Sequence, residues 1–427
     1  MKVFSDPLYR KSFLIMLSTF VGGVINYLFN PLAARLLRPA QYGELLAMLA
    51  VVNIIAVPAS TVSIVTTQFV SRYQAFSDQN ALGRFVARMY RSATAIGVLF
   101  VLIFACLVPF IMRFFHFSSS APLLILSISI ITAFIYPVAQ GVIQGRQQFF
   151  KLSAINVIGS VLRIVGIGVA IAFGFQLTGI VGLLCAGSCI LLLFAYSWAR
   201  VERPQQHHTV QIPSLRELFR NGAYVLLTNV GLALLLNIDL FITKRYLSPD
   251  LAGQYGTISL LGKAIFYFGG SLALVLFPMV LVKHAKNESS SSIVVKALAA
   301  ITLITIGEVL IFVLCGPLII RLLFGTQYLN FSSVLWLAGI VFGLYSAIHI
   351  LVTYFLATPT RRYLFPLLGG CVMIPLIFAV GPHTVYYLMY VMMATFATVV
   401  FLLLFLLKSA RMKKDQPIPI TEVEPTL

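Results

Sequence analysis

Apolar runs of about twenty residues recur along the whole 427-residue chain, and a water-soluble fold has no interior large enough to hide them all. They lie near 13–34, 45–70, 92–112, 121–143, 152–173 and 177–199, and then, past a polar break, near 222–243, 254–282, 293–314, 330–356, 363–380 and 384–407. Each is long enough to cross a hydrocarbon core of about 30 Å as a helix. The first exceeds a signal-peptide apolar region and has no convincing cleavage site, so it is expected to stay in the mature protein. Composition agrees: 60% of residues are hydrophobic and 10% charged, against about 45–50% and 25% in a soluble domain. Disorder is excluded on the same grounds. The five cysteines, odd in number and set in apolar stretches, suggest neither disulfides nor metal ligands.

A net charge of +18 would point to nucleic acid in a soluble chain. Here the basic residues sort by topology instead. With a cytoplasmic N-terminus, twenty-two of the 30 Lys and Arg fall on the inner side, and six (Arg35, Arg38, Arg113, Lys244, Arg245, Arg321) on the outer. Arg163 and Lys263 fall within spans. Positive charge retained inside places both termini in the cytoplasm and accounts for the basicity without nucleic acid. The outer connections are all short, which leaves little room for catalytic chemistry there. On the inner side, residues 79–91 put Leu82, Phe85, Val86 and Met89 on one helical face with Arg84, Arg88 and Arg91 largely on another, the pattern of a helix lying on the leaflet.

The end of the first span reads RLLRPAQYG (Arg35 to Gly43), and the end of the seventh reads RYLSPDLAGQYG (Arg245 to Gly256). Arg, Leu, Pro and Gln-Tyr-Gly recur in order, offset by 210 at the prolines and 213 at the tyrosines. The expected architecture is therefore an all-α polytopic membrane protein with about twelve spans in two parallel six-helix repeats around a central cavity. Residues 1–200 and 222–407 form the halves, 201–221 a cytoplasmic linker, and 408–427 a cytoplasmic tail. In the linker, Ser214 and Glu217 have capping-box spacing for a helix leading into span seven. Parallel repetition favours a transporter, although a channel or a membrane enzyme can also arise by duplication.

Charge at membrane depth needs a partner or a purpose. Arg163 shares a helical face with Asn156 and Ser160, and that face should line water or the facing half. It is a candidate to hold a phosphate bidentately, or else to pair with Asp239 or Glu308. Lys263 either enters the cavity or snorkels to the interface. Asp239 lies about one turn from Lys244 and Arg245, where a local ion pair would be ordinary, and Asn237 lies about 200° from it round the helix. Glu308 and His349 are candidate proton carriers or bundle buttresses. Asn26 and Asn30, in line with Gly22, form a polar stripe that either faces the cavity or joins helices. Prolines at Pro31, Pro58, Pro137, Pro278, Pro366 and Pro375 interrupt or end apolar runs. His207 and His208 sit in polar loop sequence and read as solvated. No phosphate-cradling loop, metal-ligand spacing or nucleophile motif stands in a suitable context, so neither a cofactor nor a catalytic residue is expected.

Three stretches carry a resemblance: LAARLLRPAQYGELLAML (Leu32 to Leu49), QGRQQFFKLSAINVIGSVLRIV (Gln144 to Val165) and NIDLFITKRYLSPDLAGQYGTISLLGKAIFYFGGSLALVLFP (Asn237 to Pro278). They resemble polysaccharide-unit flippases of the Wzx type, within the multidrug/oligosaccharidyl-lipid/polysaccharide exporter superfamily. The resemblance implies translocation of an undecaprenyl-pyrophosphate-linked oligosaccharide across the bacterial cytoplasmic membrane, for O-antigen, capsule or exopolysaccharide assembly. Alternating access and an ion gradient as the drive are implied with it, and the polymerase and assembly proteins of the pathway are implied partners beside membrane lipids. By the same token Arg163 and Lys263 become cavity cations, and Arg146, Arg35 and Arg245 head-group contacts at entry or exit; Asn26, Asn30 and Asn156, by the helical faces they share, are candidate substrate contacts. Asp239, Glu308 and His349 are the ion-coupling candidates. A drug/cation antiporter of the same superfamily and a membrane glycan polymerase are the rival readings.

Overall fold

The computed structural model describes residues 7–75, 79–201, 215–266, 291–358 and 360–414. In chain order its helices are α1 (Pro7–Leu36), α2 (Pro39–Ala75), α3 (Gln79–Phe115), α4 (Ala121–Gly145), α5 (Phe149–Phe173), α6 (Leu177–Trp198), α7 (Leu215–Tyr246), α8 (Pro249–Gly262), α9 (Ser291–Leu323), α10 (Leu335–Leu356), α11 (Leu364–Val380) and α12 (Val385–Lys414). A 3-10 segment, Thr326–Val334, joins α9 to α10. Nine stretches among the described residues are long and apolar enough to cross a membrane, and none of these residues forms a strand. The protein is all-α and polytopic because only a helix satisfies every backbone group within its own segment in hydrocarbon. The same constraint keeps Pro31, Pro58, Pro137 and Pro375 inside α1, α2, α4 and α11 instead of ending them. Pro366 sits in the first turn of α11. Pro278, the His207-His208 pair, Ser214 and the end of the run at 254–282 lie outside the described residues.

One expectation is corrected. Residues 79–91 are not a separate helix on the leaflet: they are the first turns of α3, continuous with its span. The face carrying Leu82, Phe85, Val86 and Met89 is buried against Val70 and Tyr73 of α2 and Val138 and Val142 of α4. Periodicity identified the apolar face correctly, but a protein core and a lipid surface present the same demand to it.

The chain packs as two units. Unit 1 comprises Met1–Leu260 with Cys315–Ser333, and unit 2 comprises Leu261–Leu314 with Val334–Leu427. In unit 1, α2 pairs most extensively with α4, and α1 with α5. The α2–α4 approach depends on Gly141 and Gly145, four apart, where a Cβ would lie 2.6 Å from Thr66 Cβ and 2.7 Å from Val70 Cβ. Across the cleared surface Ser71 donates to the Gly145 carbonyl at 3.1 Å. Small residues at this spacing let membrane helices touch backbone to backbone, where dispersion replaces the missing hydrophobic drive. In unit 2, α10 and α11 both pack on α12, and Gly339 and Gly343 of α10 admit Val309 and Thr305 of α9.

The sequence repeat is a structural repeat. Each copy ends one helix and starts the next with proline at its first residue: α1 stops at Leu36 and α2 begins at Pro39, while α7 stops at Tyr246 and α8 begins at Pro249. The amide of Leu37 donates to Ala33 O (2.9 Å) as Leu247 does to Thr243 O (3.0 Å), and Tyr42 to Arg38 O as Ala252 does to Ser248 O. The repeated tyrosines, Tyr42 and Tyr255, are both fully buried. The repeats are defined by sequence and the units by packing, so α7, which opens the second repeat, packs on α2 within unit 1.

Candidate functional site

The asparagines of α1 and the polar face of α5 meet. Gly22, Asn26 and Asn30 follow one another at fours along α1, and Asn156, Ser160 and Arg163 share a face of α5. Asn26 Nδ2 donates to Ser160 Oγ at 3.0 Å. The Ser160 hydroxyl lies 3.2 Å from Gly22 O and 3.0 Å from Asn156 O. Asn30 donates back to Asn26 O at 3.4 Å. Arg163 Nη1 reaches Asn26 Oδ1 at 3.4 Å, and its guanidinium lies 4.4 Å over the Phe29 ring. An amide oxygen and an aromatic face both favour a cation at this position. Gly22 makes the approach possible, since a Cβ there would sit 3.0 Å from Ser160 Oγ.

A second constellation closes one end of unit 1. Glu44, two residues past the repeated tyrosine of α2, is 3% exposed and lies 3.3 Å from Lys244 of α7, itself 3% exposed. The Ser118 amide and hydroxyl donate to the two Glu44 oxygens at 2.9 and 3.0 Å, and Lys244 Nζ lies 5.1 Å over the Phe117 ring. Beside this pair the two repeat turns interlock: a Cβ on Gly43 would lie 2.9 Å from Gly253 N, and one on Gly253 would overlap the Pro39 carbonyl oxygen. Tyr328 of the 3-10 segment donates to Ala34 O at 2.9 Å, Asn330 to Gln254 at 3.0 Å, and Gln41 to Gln176 at 3.2 Å. The α1–α2, α3–α4, α5–α6, α7–α8 and α9–α10 connections are thus gathered at one end, as alternating spans require. Arg146, on the α4–α5 turn, instead donates to Arg200 O after α6, at 2.9 Å.

Arg35 donates through Nε to Leu323 O at 3.0 Å and through Nη2 to Leu322 O, so it caps the carbonyl end of α9. Such carbonyls carry the negative end of the helix dipole, which a guanidinium satisfies well. Arg245, its counterpart in the repeat, lies over the rings of Phe114 and Tyr246, at 5.1 and 5.5 Å.

Asp239 does not form the expected local pair with Lys244, whose partner is Glu44. It is fully buried, and it accepts hydrogen bonds from Tyr255 Oη (3.0 Å) and Ser259 Oγ (2.5 Å) of α8, tying the α7–α8 hairpin together. Asn237 is also buried and donates to Ala233 O at 2.9 Å, so α7 is covered on both faces. The remaining candidates lie in unit 2. Lys263 Nζ is 5.2 Å over Phe342. Glu308 is hydrogen-bonded by the Ile265 backbone, while its Oε2 has no partner among the described residues. His349 stands edge-on to Phe266 at 5.3 Å, and its Nδ1 likewise has no partner among the described residues.

Sequence reasoning missed Glu44, Ser118, Phe29, Tyr255 and Ser259. One signal was legible: Glu44 is an acid placed directly after Gln-Tyr-Gly in the first repeat, at the very start of an apolar run.

A family model described as polysaccharide biosynthesis protein matches residues 32–333. No curated protein has a significant match to the sequence. Among solved structures, an inward-facing multidrug resistance MATE family transporter of the MOP superfamily has a TM-score of 0.76 at 15% identity, covering 92% of this chain and 94% of that one. The lipid II flippase MurJ in an inward closed conformation has a TM-score of 0.70 at 15% identity, over 94% and 89%. A MOP superfamily transporter from Pyrococcus furiosus, described as having a binding pocket of reverse polarity, has a TM-score of 0.63 at 14% identity, over 96% of each chain. At such identities the likeness establishes a common fold.

Proposed function

This chain belongs to the polysaccharide biosynthesis protein family, and on that premise we propose that it is a flippase that carries an undecaprenyl-pyrophosphate-linked oligosaccharide from the cytoplasmic to the outer leaflet by alternating access, driven by an ion gradient. The observation that carries the reading is the Arg163 cluster, a guanidinium on a membrane-spanning helix held by Asn26 and Phe29. Such a group suits a diphosphate, which it can meet with paired N–H donors. A sugar-pyrophosphate head cannot cross about 30 Å of hydrocarbon unaided, and needs a polar path while its polyprenyl tail stays in lipid. Asn26, Asn30 and Asn156 would bind the head group with Arg163 and Lys263, and Arg146 and Arg245 would receive it at the two surfaces. Arg35 is taken out of that set by its cap on α9. Glu308 and His349, each with a ring or carboxyl atom left unpartnered among the described residues, are the better placed ion-coupling groups, whereas Asp239 is already engaged by two hydroxyls.

In this reading the protein would sit in the bacterial cytoplasmic membrane; the distribution of positive charge supports both termini being cytoplasmic, with the end around Glu44 and Lys244 the outer one. The two sequence halves, 1–200 and 222–407, would be the bodies that rock, joined by the cytoplasmic linker.

The test is leaflet access of polyprenyl-linked sugar units in cells lacking the protein, probed in spheroplasts with an impermeant sugar-modifying enzyme. Units trapped inside, released by the wild type and poorly by Arg163→Ala, are the expected result. Outer-leaflet units with failed chain growth would reveal a polymerase. Normal units and normal polymer would overturn the flippase and leave a drug/cation antiporter.

A further inference from the structure

Unit 2 contains an unfilled groove between α11 and α12, of about 710 Å³. It exists because the two helices face each other with small side chains: Gly369 and Gly370 on α11, and Ala394, Thr395 and Thr398 on α12. A Cβ added at Gly369 would meet nothing within 4 Å. From Phe365 to Ile377 the α11 side of the lining spans about 18 Å of helix, more than half the depth of a hydrocarbon core of about 30 Å. Apart from Arg362 and the two threonines the lining is apolar, and bulky side chains such as Phe365 (80% exposed) and Phe405 (63%) stand at its rim. Arg362 lies at one end with Arg361 beside it in sequence, and both are exposed. By the distribution of positive charge this is the cytoplasmic end.

We propose that the α11–α12 groove binds the isoprenoid tail of a polyprenyl pyrophosphate lipid, with its phosphates at Arg361 and Arg362. The groove is lined from two helices only, and an unbranched run of it along α11 suits an extended chain. The small residues leave width for the methyl branches of an isoprenoid. Arg362 at the end of the groove, with Arg361 next to it in sequence, offers two cations to a diphosphate, which carries more charge than the single phosphodiester of a phospholipid. A tail seated there is held with its phosphates at the cytoplasmic end, from which the flippase is loaded. The inference rests on the flippase reading and adds a site for the part of the substrate that never leaves the lipid.

The experiment uses the full chain in nanodiscs with undecaprenyl pyrophosphate carrying a tail diazirine, and maps the crosslinked peptides. Labelling is expected within 365–377 and 394–406, competed by unlabelled undecaprenyl pyrophosphate and not by equal phosphatidylglycerol. Gly369→Leu should fill the groove and lower the labelling at least five-fold, with Thr398→Leu as the second variant if the first does not fold. Arg362→Gln should weaken capture of the pyrophosphate while leaving that of a diazirine polyprenol unchanged. Equal competition by phosphatidylglycerol, or undiminished labelling in a folded Gly369→Leu or Thr398→Leu protein, would overturn the site. Labelling elsewhere with translocation intact would overturn the groove and spare the flippase, whereas a wild type that neither captures nor translocates the lipid would overturn both.

Discussion

Glu44 and Lys244, two hundred residues apart in sequence, meet at 3.3 Å in a buried ion pair that joins the first repeat to the second. Two hydrogen bonds from Ser118 complete the carboxylate. Removing one partner leaves a buried charge, which costs about 3–5 kcal/mol, whereas removing both at once costs much less. Lys244→Met and Glu44→Gln should each lower the melting temperature in detergent, and the double variant should recover most of the loss. Additive losses in the double variant would show that the pair is not coupled.

If the end around this pair is the outer gate, weakening it should shift the protein toward an outward-open form. Cysteines at Gln41 and Asn330, in the double Glu44→Gln/Lys244→Met background, should react faster with an impermeant thiol reagent applied from outside than the same cysteines in the wild-type background. Equal rates would mean that the pair does not govern opening.

The repeat turns interlock through glycine, so substitutions there should rank by what a Cβ would strike. At Gly253 it would meet the Pro39 carbonyl, which cannot move aside without the α1–α2 turn, and Gly253→Ala should cost at least the roughly 1–3 kcal/mol of overpacking. Gly23→Ala and Gly168→Ala, where nothing lies within 4 Å, should be neutral or slightly stabilising. Thermal unfolding of the three variants side by side measures the ranking.

Arg35 and Arg163 should fail in opposite ways. Arg35→Gln removes the cap on α9, an exposed contact worth about 0.3–1 kcal/mol, and should lower stability while leaving translocation per folded molecule unchanged. Arg163→Ala should reduce translocation at least ten-fold with little change in melting temperature. A translocation defect in Arg35→Gln at normal stability would return that residue to the substrate path.

Asp239 is held by Tyr255 and Ser259, so Tyr255→Phe strips one donor from a buried acceptor. It should destabilise the protein by about 1–3 kcal/mol, and it should leave the pH profile of transport unmoved if Asp239 is structural. A shifted profile would instead make Asp239 a coupling group.

Much of the fold was legible in the sequence because hydrocarbon imposes a simple rule. Length and apolarity specify the spans, and the recurrence of Arg, Leu, Pro and Gln-Tyr-Gly specifies that two turns are built alike, down to matching backbone hydrogen bonds. The Asn26, Ser160 and Arg163 stripe was legible too, since helical periodicity places residues on a face. Periodicity names no partner, however. It could not tell that the face at Leu82 and Met89 meets α2 and α4 instead of lipid, that Arg35 caps a helix beginning some 250 residues later, or that Lys244 passes over nearby Asp239 for Glu44. Those outcomes depend on which helix surfaces come within a hydrogen bond's length of each other, and that is set by small residues such as Gly43 and Gly253, whose effect exists only once two helices cross. The sequence determined which stretches are long and apolar enough to span and which residues share a helical face; the tertiary structure alone decided which partners hold charges such as Glu44, Lys244 and Arg35, because a hydrogen bond forms only where two helices come within its reach.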